Sequence, residues 1–170
     1  FTIDSPKEQL QVSVYSSNGS SDPTIEEEDN GEDNLLVAFR RFSRTAKPAQ
    51  SPGVGAEADF EGGVLLGTGP HKDLNLTGYD VLSLEVEVTS RLDRKASLIG
   101  FIIKDASLRE IKLPSMEPYT TWEDGGFHAV IPLSLFSKLS LDKIDIFGFF
   151  VRDLERGERL HLTFSEVSFE

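Results

Sequence analysis

A chain of 170 residues is long enough for one domain that buries roughly 70% of the surface its unfolded chain exposes, so its core needs no covalent staple. Zero cysteines exclude disulfides, thiolate metal sites and cysteine nucleophiles, and leave the redox compartment open. A net charge of −12 argues against nucleic acid and anionic membrane as partners, since both require clustered Lys and Arg, and favours a neutral or cationic ligand.

In chain order, Leu10, Val12 and Val14 alternate with Gln11, Ser13 and Tyr15, the period of two expected for a half-buried strand. The stretch 17–34 is expected to be a mobile acidic loop, because Glu26, Glu27, Glu28, Asp29, Glu32 and Asp33 repel one another; Asp29 to Asp33 also suggests calcium, without the spacing of a helix-loop-helix site. Asn34 to Phe42 reads as a strand buried on both faces at its start, and Gly53 to Leu66 as two short strands or one bent strand. Asp73 to Val88 is a polar turn opening into the clearest strand, with Leu82, Leu84, Val86 and Val88 on one face and Ser83, Glu85, Glu87 and Thr89 on the other.

Ser97 to Asp105 and Arg109 to Leu113 read as a hairpin, and Pro114 to Gly126 as a loop of about a dozen residues, a length that is usually functional or disordered. Phe127 to Leu133, Asp142 to Arg152 and Arg159 to Phe169 complete a set of eight to ten strands. No segment sustains a 3.6-residue period, and no apolar run approaches the roughly 20 residues that cross a bilayer, so membrane insertion is not expected. The chain opens at Phe1 without a charged and apolar leader, so an export signal is expected to be removed or absent. The reading is all-β, a single β-sandwich over residues 1–170, with a strand number that suits a jelly roll.

Three segments carry a family resemblance: Leu76, Gly78, Tyr79 and Asp80 before one strand; Phe127 with Ile131, Pro132, Leu133, Ser134 and Phe136 in another; and Glu166 in the last. Over residues 73–170 the chain resembles the galactose-binding-like jelly rolls found as non-catalytic carbohydrate-binding modules of secreted glycoside hydrolases. The resemblance implies a poly- or oligosaccharide ligand, a neighbouring catalytic domain or protein partner, and a secreted, cell-surface or periplasmic location. It also implies a structural calcium at the sandwich edge, with Glu166 as last-strand ligand and Glu8 or Asp4 as first-strand ligand. The same jelly roll serves in protein-assembly domains, such as complex I assembly factors and bacterial filament-sheath proteins, so an assembly role is the alternative.

Sugar modules stack aromatic faces on pyranose rings and satisfy hydroxyls with planar polar side chains. Trp122 and Tyr119, in the long loop, are the candidate aromatics, against the alternative that Trp122 anchors that loop on the core. Glu85 and Glu87 are candidate polar contacts beside Arg152 or Arg109, against a merely solvated sheet face. Tyr79 belongs to the structural turn. His71, His128 and His161 are scattered and suggest no zinc site. Neither a GxSxG elbow nor an HExxH pair occurs, and no catalytic role is expected. Asn18-Gly-Ser and Asn75-Leu-Thr are formal glycosylation acceptors.

Overall fold

Alternating apolar and polar residues become twelve strands among the residues that the computed structural model describes, which are 2–3, 9–17, 24–26, 34–40, 61–67, 73–90, 98–154 and 157–170. In chain order they are β1 (Thr2–Ile3), β2 (Gln11–Ser17), β3 (Thr24–Glu26), β4 (Leu35–Arg40), β5 (Glu61–Gly67), β6 (Val81–Ser90), β7 (Ile99–Asp105), β8 (Glu110–Leu113), β9 (Thr120–Glu123), β10 (Gly126–Pro132), β11 (Ile144–Arg152) and β12 (Arg159–Phe169). Two antiparallel sheets form. One runs β3-β4-β12-β6-β10-β9, with β1 also on β12; the other runs β2-β5-β11-β7-β8. The sandwich is the jelly roll that the strand pattern predicts.

Inward residues meet between the sheets. Leu82, Leu84 and Val86 of β6, Phe127, Ala129 and Ile131 of β10, and Leu160, Leu162 and Phe164 of β12 face Val64 and Leu66 of β5, Phe101 and Ile103 of β7 and Phe147, Phe149 and Val151 of β11. Aromatic rings bridge the layers: Phe149 stacks on Phe164 at 4.8 Å, and Phe147 meets Phe169 edge-on at 5.7 Å. Two bulges break strict alternation. A register shift between Ile144 and Ile146 lets Ile144 and Phe147 both enter the core, and one between Phe164 and Glu166 does the same for Phe164 and Val167.

The turn before β6 is a packing device. Leu76 is fully buried, Asn75 Oδ1 accepts from the Thr77 amide at 2.9 Å, Gly78 takes the left-handed conformation, and Tyr79 packs 6.3 Å from Phe169. The amides of Asp80 and Val81 donate to the Glu170 carbonyl, and the Leu133 amide donates to the Asp80 carbonyl, so this turn ties together the start of β6 and the ends of β10 and β12. Two of the segments that carry the resemblance, together with the end of the last strand, thus form one structural joint.

Two expectations are corrected. The long loop from Pro114 to Gly126 holds a 3-10 turn (Glu117–Tyr119) and strand β9, because Asp124 and Gly125 make a tight hairpin turn in which Gly125, at φ 87°, supplies the left-handed residue. Within the acidic stretch 17–34, Thr24–Glu26 forms β3 and pairs with β4. Residues 18–23 and 27–33, the Asp29 to Asp33 run, Gly53 to Phe60 and His71 lie outside the described residues. No helix among the described residues is long and apolar enough to cross a membrane.

Candidate functional site

Where alternation puts core residues on one side of a strand, it turns the next residue outward, and register decides which outward residues meet. On the five-stranded sheet, Tyr15 of β2 lies opposite Gly63 of β5, Gly63 opposite Phe150 of β11, and Phe150 opposite Gly100 of β7. Both glycines are seats for rings. A Cβ on Gly63 would collide with the Tyr15 ring, and one on Gly100 with the Phe150 ring, so each aromatic lies down over a bare backbone. Phe150 is buried yet stands apart from the inter-sheet core, because side chains of its own face cover it.

The covering groups are charged. Lys112 Nζ sits 5.3 Å from the Phe150 ring centre and the Arg152 guanidinium 6.0 Å from it, both within reach of a cation–π attraction. Glu61 Oε1 accepts from Lys112 Nζ at 3.0 Å and from the Tyr15 hydroxyl at 3.1 Å. Tyr15 stands on one edge strand and Lys112 on the other, so one carboxylate gathers side chains from both edges of the sheet. Burial, and then the Glu61 charge and hydrogen bond, push the Tyr15 hydroxyl above its usual pKa, so it stays a donor at neutral pH. Arg152 Nη2 donates to the Pro114 carbonyl at 3.1 Å, whereas its Nε is buried with no partner.

The other sheet carries a different surface. Outside β6 and β10 lies a depression of ≈ 200 Å³ lined by Glu85, Glu87, Glu123, Asp124, His128 and Ser165. It opens where the Asp124–Gly125 turn passes β6, with the Val88 amide donating to the Gly125 carbonyl at 2.8 Å. Ser83 Oγ and His128 Nε2 share a hydrogen bond of 2.7 Å beside it. Its carboxylates can accept from hydroxyls or attract a cation. Its aromatic lining residue, Phe127, is only 3% exposed and offers no ring face for stacking.

The residues singled out in the sequence therefore separate. Glu85 and Glu87 share the depression, and Arg152 lies on the outer face of the opposite sheet, so they do not converge. Arg109 is committed to Asp105 at the β7–β8 turn, with Nη2 2.7 Å from Oδ2. Trp122 is part of β9 and pairs with Phe127, packing its ring 5.5 Å away on the inward side of the sheet edge while remaining 42% exposed. Tyr119 closes the 3-10 turn, half-buried against the core. Glu166 is a single exposed carboxylate on β12, Asp4 and Glu8 lie outside the described residues, and no group of three potential metal ligands occurs among the described residues.

Sequence reasoning missed Tyr15, Glu61, Lys112 and Phe150. Alternation sets Tyr15 on the polar side of its strand, but both faces of the Phe150 strand are apolar, and the glycine seats that bring the residues together appear only once register is known.

No protein-family model and no curated protein matches the chain. Solved structures do. The family 11 carbohydrate-binding module of a cellulosomal cellulase of Clostridium thermocellum aligns at a TM-score of 0.53 and 14% identity, covering 100% of this chain and 94% of that one. A family 11 module from Clostridium thermocellum, solved in complex with a β-1,3-1,4-mixed-linked tetrasaccharide, aligns at 0.50 and 15% identity, covering 96% and 93%. A β-1,2-glucanase from Parabacteroides distasonis aligns at 0.50 and 13% identity, covering 95% of this chain and 22% of that one. At such identities the likeness is one of fold, and the fold is the jelly roll of these modules.

Proposed function

We propose that this chain is a non-catalytic carbohydrate-binding module for an extracellular poly- or oligosaccharide, and that the outer face of the five-stranded sheet is its binding face. The observation that carries the reading is the convergence of Tyr15, Glu61, Lys112 and Arg152 from both edges of that sheet over the Phe150 floor. Sugar recognition needs an apolar ring surface and planar, oriented hydrogen-bonding groups for the hydroxyls; here the half-buried Tyr15 ring offers the first, and Glu61, Lys112 and Arg152, set over the buried Phe150, offer the second. The mechanism is equilibrium binding, which concentrates an attached or neighbouring partner on its substrate. A module of this kind works outside the cytoplasm. The implied calcium finds one exposed candidate ligand, Glu166, among the described residues, so no step of binding is assigned to it.

Affinity electrophoresis of the domain against soluble glucans, mannans, xylans and uronans tests the reading. Retardation by a glycan that falls about tenfold or more in Tyr15→Ala, with the fold intact by circular dichroism, is the expected result. Loss in Trp122→Ala, Glu85→Ala or Glu87→Ala instead would move the site to the seven-stranded sheet and its edge. No retardation by any glycan would sink the reading in favour of the assembly role, and release of reducing ends from a bound glycan would overturn its non-catalytic part.

A further inference from the structure

Charge divides the two outer faces of the sandwich. Among the described side chains, Glu85, Glu87, Glu123 and Glu166 turn outward on the seven-stranded sheet against Arg159; on the five-stranded sheet the charges balance, with Lys104, Lys112 and Arg152 against Glu61, Glu110 and Asp145. This balanced face sits on a chain whose net charge is −12. The face therefore departs locally from what the net charge implies about the ligand.

Within that face the cations are unequally satisfied. Lys104 stands opposite Glu110 in the ladder, and Lys112 bonds Glu61 at 3.0 Å. Arg152 stands opposite Glu61 in the ladder, but that carboxylate bonds Lys112 and Tyr15, and no Arg152–carboxylate hydrogen bond is found among the described residues. Its one hydrogen bond goes to the neutral Pro114 carbonyl, its Nε is a buried donor left unpaired, and its charge shares the Phe150 ring with Lys112. A buried N–H without an acceptor is costly, and the two cations over the Phe150 ring share one carboxylate, Glu61, so the cluster has room for one further anion. A guanidinium fork matches the two oxygens of a carboxylate, or of a sulfate, better than it matches a hydroxyl.

We propose that the glycan bound at this face is anionic, with the carboxylate or sulfate of a charged sugar residue seated against Arg152. This rests on the carbohydrate reading above and narrows its ligand class. Tyr15 supplies the ring contact, Glu61 and Lys112 orient hydroxyls, and Arg152 selects charge.

The test is affinity electrophoresis of the whole domain at about 0.15 M salt, where the Debye length of roughly 8 Å screens repulsion from the rest of the acidic chain. The probes are polygalacturonate, its fully methyl-esterified form, dextran sulfate and a neutral mixed-linked β-glucan. The expected result is retardation by polygalacturonate or dextran sulfate, with at least about tenfold weaker binding of the esterified polymer and of the β-glucan. Arg152→Gln keeps a donor for the Pro114 carbonyl and should lose the anionic preference, whereas Arg152→Lys should retain part of it. Preference for polygalacturonate assigns the anion as carboxylate, and preference for dextran sulfate assigns it as sulfate. Equal binding of free and esterified polymer, or β-glucan binding unchanged in Arg152→Gln, overturns this inference and leaves the module reading standing. Silence across all four probes overturns this inference, and the wider panel of glucans, mannans and xylans then decides the module reading. The comparison of free with esterified polymer uses the unaltered protein, so it decides even where Arg152→Gln does not fold.

Discussion

Asp105 is a charge buried at a turn, and its surroundings explain how it is tolerated. Its carboxylate accepts from the Ser140 amide at 3.0 Å, from Arg109 Nε at 2.8 Å and from the amides of Ser107 and Arg109 at 2.9 and 3.1 Å, while Arg109 Nη2 reaches on to Ser140 Oγ at 2.7 Å. The Ser140 amide first, then the Arg109 guanidinium and the turn amides, hold its pKa down to about 2 against burial, which acts the other way. A carboxylate whose pKa is depressed by folding stabilises the folded state above its unfolded value near 3.8, and that contribution fades as pH falls toward 2. Thermal unfolding between pH 2 and 5 should show this loss in the wild type and a flatter profile in Asp105→Asn, which is also less stable at pH 7 because a neutral amide cannot replace a charged acceptor of four donors. An unchanged profile would assign the acid sensitivity elsewhere. The sequence showed Asp105 only as the end of a strand; its partner Ser140 is 35 residues away, and no local pattern announces that meeting.

At the scale of an element, the β9–β10 hairpin shows how a turn decides a surface. Its signal was present in the sequence as Asp124-Gly125 between Trp122 and Phe127, the kind of dipeptide that closes hairpins. The strand beside it is short, and its residues Thr120 to Glu123 carry too little alternation to register as β. Gly125→Ala forces an L-residue to φ 87° and should cost about 1–2 kcal/mol, and the loosened edge should expose Trp122 further. Trp122 is the one tryptophan of the chain, so its emission reports on this hairpin directly. A lower urea midpoint with a red shift of native emission is expected; unchanged emission would mean that Trp122 is held by Phe127 alone. The bulges in β11 and β12 were less legible. An extra residue shifts every side chain beyond it to the other face, and only pairing with β7 and β6 shows where the shift falls.

For the whole molecule, the two sheets are held by rings that cross between them, and Phe149 stacked on Phe164 is the centre of that contact. Phe149→Ala leaves a cavity bounded by Phe101 and Phe164 and should cost about 3–5 kcal/mol, read as a lower urea midpoint at an unchanged slope. A cost below about 1 kcal/mol would mean that the core collapses into the space. The sandwich was legible because each half-buried strand writes its inward face as a period of two, and the Leu76 to Asp80 turn, Phe127 to Phe136 and the final strand were read correctly as frame. The binding face was legible only in part. Arg152 was singled out, but with Glu85 and Glu87 as companions, which the sandwich puts on the far side. Alternation says that a residue points outward; it does not say which sheet its strand joins, because strands distant in sequence become neighbours only when the chain folds. Strand positions, core residues and fold class thus follow from local chemistry along the chain. The seating of Tyr15 and Phe150 on glycines, the gathering of Lys112 and Tyr15 on Glu61, and the unpaired Nε of Arg152 follow from long-range pairing, which brings together residues up to 166 positions apart, as Thr2 and Ser168 are.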